Sequence, residues 1–233
     1  MSAGKALGFL AGLFGLTALF FTVAQLVVYS PAHFRREYQK YGVAESIGIK
    51  TDDLMDVTAE MMDYLYDKRE DLVIEATVRG EEREFFNDRE KAHMRDVQSI
   101  VTLLRGVRSF SLAAFILLFL LAKNTGGQRW SFPAGMRAAL AGVRWAIVAF
   151  WAGGAALAGM LAQNFYKYFL WFHQTFFDND LWLLNPQTDL LINMVPEGYF
   201  RDTALWILGV FLGLSAAALV GISLYLHRSG KKA

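Results

Sequence analysis

The sequence predicts an all-α integral membrane protein with four transmembrane helices and a mostly helical extracytoplasmic cap. Three observations carry this expectation. Four windows hold no Asp, Glu, Lys, Arg or His: residues 6–32, 109–122, 145–166 and 203–226. About 20 apolar residues span a hydrocarbon core as a helix, and three of the windows are longer than that. All 22 acidic residues fall in two stretches, 17 from Glu37 to Asp96 and five from Asp178 to Asp202. Finally, the longer acidic stretch has helical periodicity. The averages alone, 55% hydrophobic and 19% charged, would also suit a greasy globular protein. It is the segregation that decides.

The first span, about residues 8–29, is longer than the apolar core of a secretion signal and is followed by no convincing small-residue cleavage site, so it reads as uncleaved. The second window has only 14 residues. It spans if its helix starts near residue 105, with Arg105 and Arg108 snorkelling to the interface. Its extent is then about 105–122. The third span covers about 138–165, with Arg144 near its inner end, and the fourth about 204–226. Between these spans lie outer segments 31–104 and 166–203, all within one membrane domain of residues 1–233.

Only basic residues flank the other ends of the spans: Lys5, then Lys123, Arg129 and Arg137, then Arg228, Lys231 and Lys232. Short cationic loops stay on the cytoplasmic side. Both termini are therefore expected inside, in a multi-pass membrane protein. Small residues recur every four positions at Gly209, Gly213, Ala217 and Gly221, and again at Gly8 and Gly12. Such ladders let helix backbones approach closely in lipid, which predicts bundle packing.

In the outer segments, Leu54, Val57, Met61, Tyr64 and Leu65 step at helical intervals, so the stretch from Ile47 to Arg79 reads as helix. Thr51 or Asp52 is placed to cap it, and Gly80 marks a break. A second amphipathic stretch starts near Asn87 and feeds into the second span. His93 shares a face there with Val97, Ile100 and Leu104. Residues 166–202 look less regular, with turn or helix-start signals at Asn185-Pro186 and Val195-Pro196.

Eleven aromatic residues crowd the 36 positions from Phe165 to Phe200. Trp and Tyr favour the headgroup zone, so an interfacial belt accounts for part of this. Six of the eleven are Phe, which have less reason to stay there and point equally to an apolar pocket. Trp171, Phe172, Phe176, Phe177, Trp182, Tyr199 and Phe200 are the candidate lining. Of the four histidines, His227 reads as a solvated helix end and His33 as an interfacial residue. His93 and His173 both stand at the outer surface beside apolar faces. Asp96, three residues after His93, has the spacing at which a carboxylate orients an imidazole, and Asp178 and Asp180 follow His173.

What is absent narrows the chemistry. Without cysteine there are no disulfides, no thiolate nucleophile and no lipobox. No G-x-S-x-G elbow, H-E-x-x-H site or P-loop is present. Two histidines with carboxylates have the donor types zinc takes, but at a spacing that matches no standard ligand set, so neither metal nor cofactor is expected. The near balance of 23 Lys+Arg against 22 Asp+Glu argues against a nucleic-acid partner. Histidines without an enzyme nucleophile suit proton transfer and oxyanion stabilisation in a reaction whose nucleophile belongs to the substrate.

The stretches Glu90-Lys91-Ala92-His93-Met94-Arg95-Asp96-Val97 and Phe172-His173-Gln174-Thr175-Phe176-Phe177 carry a resemblance. So do Asp180-Leu181-Trp182, Asp189-Leu190-Leu191-Ile192 and Pro196-Glu197-Gly198-Tyr199-Phe200-Arg201-Asp202. Together they resemble the bacterial lipoprotein intramolecular transacylases, a family with four spans and an extracytoplasmic cap. The motifs cover about 40 residues, in order. Gly198-Tyr199 departs from the bulkier, Phe-rich sequence expected after Pro-Glu, which bears on pocket shape and not on the histidines.

The resemblance implies a membrane enzyme whose partners are membrane lipid and a diacylated lipoprotein substrate. It would move the sn-2 acyl chain of the diacylglyceryl-cysteine to that cysteine's own α-amine, giving a lyso-form lipoprotein. On that reading His93 and His173 are catalytic, with His173 the base and His93 at the oxyanion, or the reverse. Two other readings of the residues stand beside it: an interfacial lipid esterase, and a non-catalytic receptor or accessory protein whose acidic helical segment binds a partner. A transporter fits least, because Arg144 is the one formal charge well inside a span.

Overall fold

The structure, a computed structural model, describes residues 2–125 and 132–230. Arg129, Lys231 and Lys232 of the basic flanks lie outside the described residues. In chain order the elements are α1 (Ala3–Val28), α2 (Pro31–Tyr41), α3 (Val43–Ile47), α4 (Thr51–Leu65), β1 (Glu75–Val78), β2 (Glu81–Glu84), α5 (Asp88–Asn124), α6 (Phe132–Gln163), α7 (Phe165–Phe176), α8 (Leu190–Met194) and α9 (Glu197–Gly230). Among the described residues four helices are long and apolar enough to cross a membrane: Ala3–Val28, Asp88–Asn124, Ala134–Ala155 and Glu197–Ser229. At 37 residues α5 is about 55 Å long, well beyond a hydrocarbon core. Seven ionisable residues stand between Asp88 and Asp96, so its apolar run is in the second half, from Ser109.

The chain forms two compact units. One comprises Met1–Ala24, Arg105–Gln163 and Ile207–Ala233; the other comprises Gln25–Leu104 and Asn164–Trp206. In the first, α1 and α6 touch backbone to backbone. A Cβ added to Gly8 would stand 2.3 Å from the Ala139 carbonyl oxygen, and one on Gly142 would stand 2.4 Å from that of Lys5. The ladder of α9 behaves differently from expectation. A Cβ on Gly209, Gly213 or Gly221 would meet nothing within 4 Å, so that face packs against no described part of the chain. Phe211 instead carries α9 inward, with Phe20 and Phe150 at 5.6 and 5.4 Å, and Trp151 Nε1 donates to Ser215 Oγ at 3.0 Å.

The second unit has its own core, built from Phe34, Tyr38, Ile47, Leu54, Val57, Met61, Ile74, Phe85, Phe86, Met94 and Met194. Ser30 caps α2, Pro31 sits at its first turn, and Gly42 at φ 59° ends it in the left-handed region that glycine adopts without strain. The long helix expected over 47–79 stops at Leu65. Beyond it, β1 and β2 pair antiparallel from Glu75↔Glu84 to Val78↔Glu81. Arg79 and Gly80 turn the hairpin with φ of 55° and 86°, the pair of positive angles that matches the twist of two-residue hairpins. The β-branched run Val73, Ile74, Thr77, Val78 favours strand, and periodicity alone does not register it. Neither Thr51 nor Asp52 caps α4. Lys50 holds the N-cap position, and Asp52 and Asp53 complement the helix dipole from the first turn.

Helix α5 starts with a capping box. The Glu90 amide donates to Asn87 Oδ1 at 3.0 Å, and Glu90 Oε2 accepts from the Asn87 amide at 2.7 Å. The Glu90 side chain, 1% exposed, also accepts from the Leu191 amide at 2.6 Å, which pins the start of α8 to the start of α5. Asp189 accepts from Asn87 Nδ2 at 2.9 Å and from the Asn185 amide at 2.7 Å. The span expected over 138–165 ends at Gln163, where Asn164 caps a new helix, α7, in a segment expected to be irregular.

Candidate active site

His93 lies one turn into α5, on the face that buries Met94 and Glu90, and is itself 7% exposed. His173 lies near the end of α7. These two residues, 80 positions apart, come together: their ring centroids are 6.3 Å apart and their planes 33° from parallel. Phe177 packs against both, at 5.2 Å from His93 and 5.5 Å from His173. Phe169, Trp182 and Phe172 close in on His173 at 4.2, 5.0 and 5.4 Å.

A hydrogen bond fixes what His173 offers, and burial describes His93. His173 Nδ1 lies 2.8 Å from the Phe169 carbonyl oxygen, one turn back along α7. A carbonyl only accepts, so Nδ1 carries the proton and Nε2 presents its lone pair. His93 Nδ1 is buried without a partner among the described residues, and so is Arg89 Nε one turn earlier on the same helix. Unpaired nitrogens out of water are rare in a folded core and mark places where a further group belongs.

Burial sets the charge state. His93 is pushed down to about 4, first by desolvation, then by the like charges of His173 and Arg89, against the opposing pull of Asp96. His173 is lowered as well, by desolvation, with the Phe169 carbonyl acting against it. Both imidazoles are therefore neutral at pH 7, the form in which one nitrogen donates and the other accepts.

Of the carboxylates expected to orient the rings, two take other partners and one takes none among the described residues. Asp96 Oδ2 accepts from Asn179 Nδ2 at 2.9 Å, and the Asn179 carbonyl accepts from Trp182 Nε1 at 2.9 Å. Asp96 thus holds the turn that brings Trp182 over His173. Asp180 pairs with Arg89 at 3.4 Å, and Asp178 is exposed with no partner among the described residues. The role foreseen for a carboxylate on His173 falls to the helix backbone, because the ring points back along its own turn.

The expected lining divides similarly. Phe172, Phe177 and Trp182 surround the pair; Phe176 packs on Phe172 at 4.7 Å and Phe200 on Phe169 at 5.4 Å. Trp171 is 61% exposed, and Tyr199 is buried elsewhere, stacked on Phe34 at 5.4 Å and beside His33 at 5.7 Å. His33, expected to be interfacial, is buried within the protein. It is 4% exposed, with Nε2 at 2.8 Å from Thr203 Oγ1 and Nδ1 at 3.0 Å from Arg36 Nη2. Sequence reasoning missed Arg89, Asn179 and the Phe169 carbonyl. Of these only Arg89, four residues before His93 and so on its face, left a signal in the spacing. Among the described residues no three His, Asp or Glu side chains gather as a metal site requires.

A family model described as lipoprotein intramolecular transacylase Lit matches residues 9–200, most of the chain and the whole of the histidine site. The chain belongs to that family. It is a membrane transacylase, an enzyme, and its fold agrees with that of solved relatives. The membrane-integral lipoprotein intramolecular transacylase Lit from Bacillus cereus is 19% identical, with a TM-score of 0.72 over 99% of this chain and 98% of that one. Two variants of that protein with one histidine replaced, by arginine and by alanine, superpose with the same TM-score of 0.72. No curated protein matches the sequence.

Proposed function

We propose that this transacylase moves the sn-2 acyl chain of a diacylglyceryl-cysteine lipoprotein to that lipoprotein's own N-terminal α-amine, with His93 and His173 as its catalytic pair. One observation carries the reading: two neutral imidazoles face each other among aromatic rings, and His93 Nδ1 is buried with no partner among the described residues. An intramolecular transfer needs little else. Holding an ester and an amine in reacting geometry is worth effective molarities of about 10⁵–10⁸ M. The α-amine, with a reference pKa near 8, must lose its proton to attack, and the departing alkoxide must gain one.

In this scheme His173 Nε2 takes the proton as the amine nitrogen bonds to the ester carbonyl carbon. His93, uncharged, donates an N–H to the oxyanion of the tetrahedral intermediate, and the Arg89 Nε–H is a second donor one turn away. The carbon–oxygen bond to glycerol then breaks, and His173 returns the proton to the glyceryl oxygen. Asp96 and Asn179 act on the geometry by holding Trp182, and the surrounding rings exclude water that would hydrolyse the ester. The stretches bearing the histidines carry every acidic residue and the basic flanks lie at the opposite span ends. That distribution supports an N-in, C-in topology with the site at the outer membrane–water interface, within reach of a lipid-anchored substrate.

Mass analysis of a lipoprotein N-terminal peptide tests the reading. Membranes containing the chain should convert a diacylated N-terminus to a blocked one of unchanged total mass, and the His93→Ala and His173→Ala variants should not. Release of free fatty acid would assign hydrolysis instead, and conversion by both variants would remove the histidines from the mechanism.

A further inference from the structure

The unit that holds the histidine pair contains a second cluster that transacylation leaves unused. Arg36, Glu37 and Lys40 of α2, with Asp202, Leu205 and Trp206 of α9, line a cleft of about 390 Å³. Glu37 is 2% exposed. Its Oε1 accepts from Arg36 Nε at 3.0 Å and Nη2 at 2.8 Å, while its Oε2 is buried without a partner among the described residues. A carboxylate oxygen out of water without a donor is costly, and Glu37 lines the cleft, so a donor seated there would relieve that cost.

The neighbours say what kind of donor. Arg36 is fixed by Glu37, by His33 Nδ1 and by the Trp206 ring 4.9 Å beneath its guanidinium. Lys40 is paired with Asp202. The lining therefore holds two cations and two carboxylates and is neutral as a set, which suits a ligand carrying both signs. Leu205 and Trp206 are 61% and 50% exposed and open the apolar run of α9, so one wall of the cleft is greasy. Indole rings at the start of a span favour the headgroup zone.

We infer that this cleft binds the headgroup of a zwitterionic phospholipid with a primary ammonium, whose N–H groups donate to Glu37 Oε2 while its phosphate pairs with Arg36 and Lys40. The acyl chains lie along Leu205 and Trp206. A quaternary ammonium has no N–H and leaves Oε2 unsatisfied, so the site separates lipids that share shape and net charge. Ring contacts run from His33 to Tyr199, Phe200, Phe169 and His173, at 5.7, 5.7, 5.4 and 4.2 Å, so a lipid seated here adjoins the layer that positions the histidine pair. The inference stands on the cleft itself and does not require the proposed acyl transfer.

The test is lipid binding to the purified full chain in detergent, read by native mass spectrometry and by the shift in unfolding temperature. The probes are short-chain phosphatidylethanolamine, phosphatidylcholine and phosphatidylglycerol, with free phosphoethanolamine as the soluble counterpart. Phosphatidylethanolamine should bind about tenfold more tightly than phosphatidylcholine, the worth of one charged hydrogen bond, and free phosphoethanolamine more weakly than either. Glu37→Gln should bring the two lipids within about twofold of each other. Lys40→Gln, on an exposed side chain that leaves the fold intact, should weaken both and keep their ratio. Equal binding of the three lipids by the unaltered protein overturns the inference, as does a preference for phosphatidylglycerol. Binding of free phosphoethanolamine as tight as that of the lipid overturns the membrane source.

Discussion

His33 and the His93–His173 pair belong to the same unit, and His33 and His93 are comparably withdrawn from water. They differ in how their nitrogens are used. At His33 a guanidinium, which only donates, faces Nδ1, so that nitrogen accepts and Nε2–H donates to Thr203: both valences are filled. At His173 one nitrogen is filled, by a backbone carbonyl, and at His93 a buried nitrogen has no partner among the described residues. Burial lowers the pKa of all three rings, so perturbation by itself does not distinguish them. The unfilled nitrogen does. A ring with both valences filled is committed to holding structure, whereas a ring kept neutral and half-used has a lone pair or an N–H to give a substrate.

Single substitutions test this contrast most sharply. His93→Ala and His173→Ala should each lower conversion of a diacylated lipoprotein by about 10²–10⁴-fold, the usual weight of a general acid–base group, with the protein still present in membranes. His33→Gln removes a filled ring and should cost activity less than about tenfold while lowering the unfolding temperature. The contrast breaks if the His33 variant is as inactive as the other two, as measured by mass spectrometry of the N-terminal peptide.

Glu90 should give the next largest effect, because it holds the helix that carries His93. Its carboxylate accepts from the Asn87 and Leu191 amides, tying α8 to the first turn of α5. Glu90→Gln turns an amino group toward one of those N–H donors, so a bond becomes a repulsion at a fully buried position. Stability should fall by about 1–3 kcal/mol. Turnover should fall roughly tenfold, as a shift of under 1 Å in a catalytic group can cost more. A thermal scan and the conversion assay, run on the same preparation, check both; unchanged turnover would show that His93 does not depend on this anchor.

The spans were the most legible part of the molecule. A backbone in lipid must satisfy its own hydrogen bonds, which leaves long uncharged helices as the solution and writes them plainly into the sequence. The hairpin was not legible, because a helical stripe ending at Leu65 runs on into residues whose β-branched character only the Arg79–Gly80 turn resolves. Residues 165–176 hid their helix for a related reason. They are aromatic on most faces, and no residue of α7 is fully buried, so no stripe separated an inside from an outside. The candidate histidines were legible as types near aromatic and acidic residues. Their orientation was not: spacing favoured carboxylates at Asp96, Asp178 and Asp180, whereas the bond to the Phe169 carbonyl depends on a rotamer within one turn. The orphaned nitrogens of His93 and Arg89 depend on burial that no local pattern encodes.

The finest test of the comparison is electrostatic. His93 is held at about 4 first by burial and then by the like charge of His173. Replacing His173 by Gln removes that like charge and much of the closing aromatic contact, so His93 should titrate at higher pH in the variant. His33, whose neighbours are Arg36, Glu37 and Asp202, should not move. The sign for stability follows from the direction of the shift. A ring with a folded pKa below its unfolded value of about 6.5 supports the fold fully above pH 6.5, and that support fades as pH falls from there toward 4. The variant, with a smaller shift at His93, should therefore lose less stability between pH 6.5 and 4.5 than the unaltered protein. Histidine Cε1 chemical shifts followed over that range read the titrations, and unfolding temperatures read the stability. A His93 curve unmoved by the substitution would mean that the two rings, though 6.3 Å apart, do not sense each other's charge, and the case for treating them as one pair would fail.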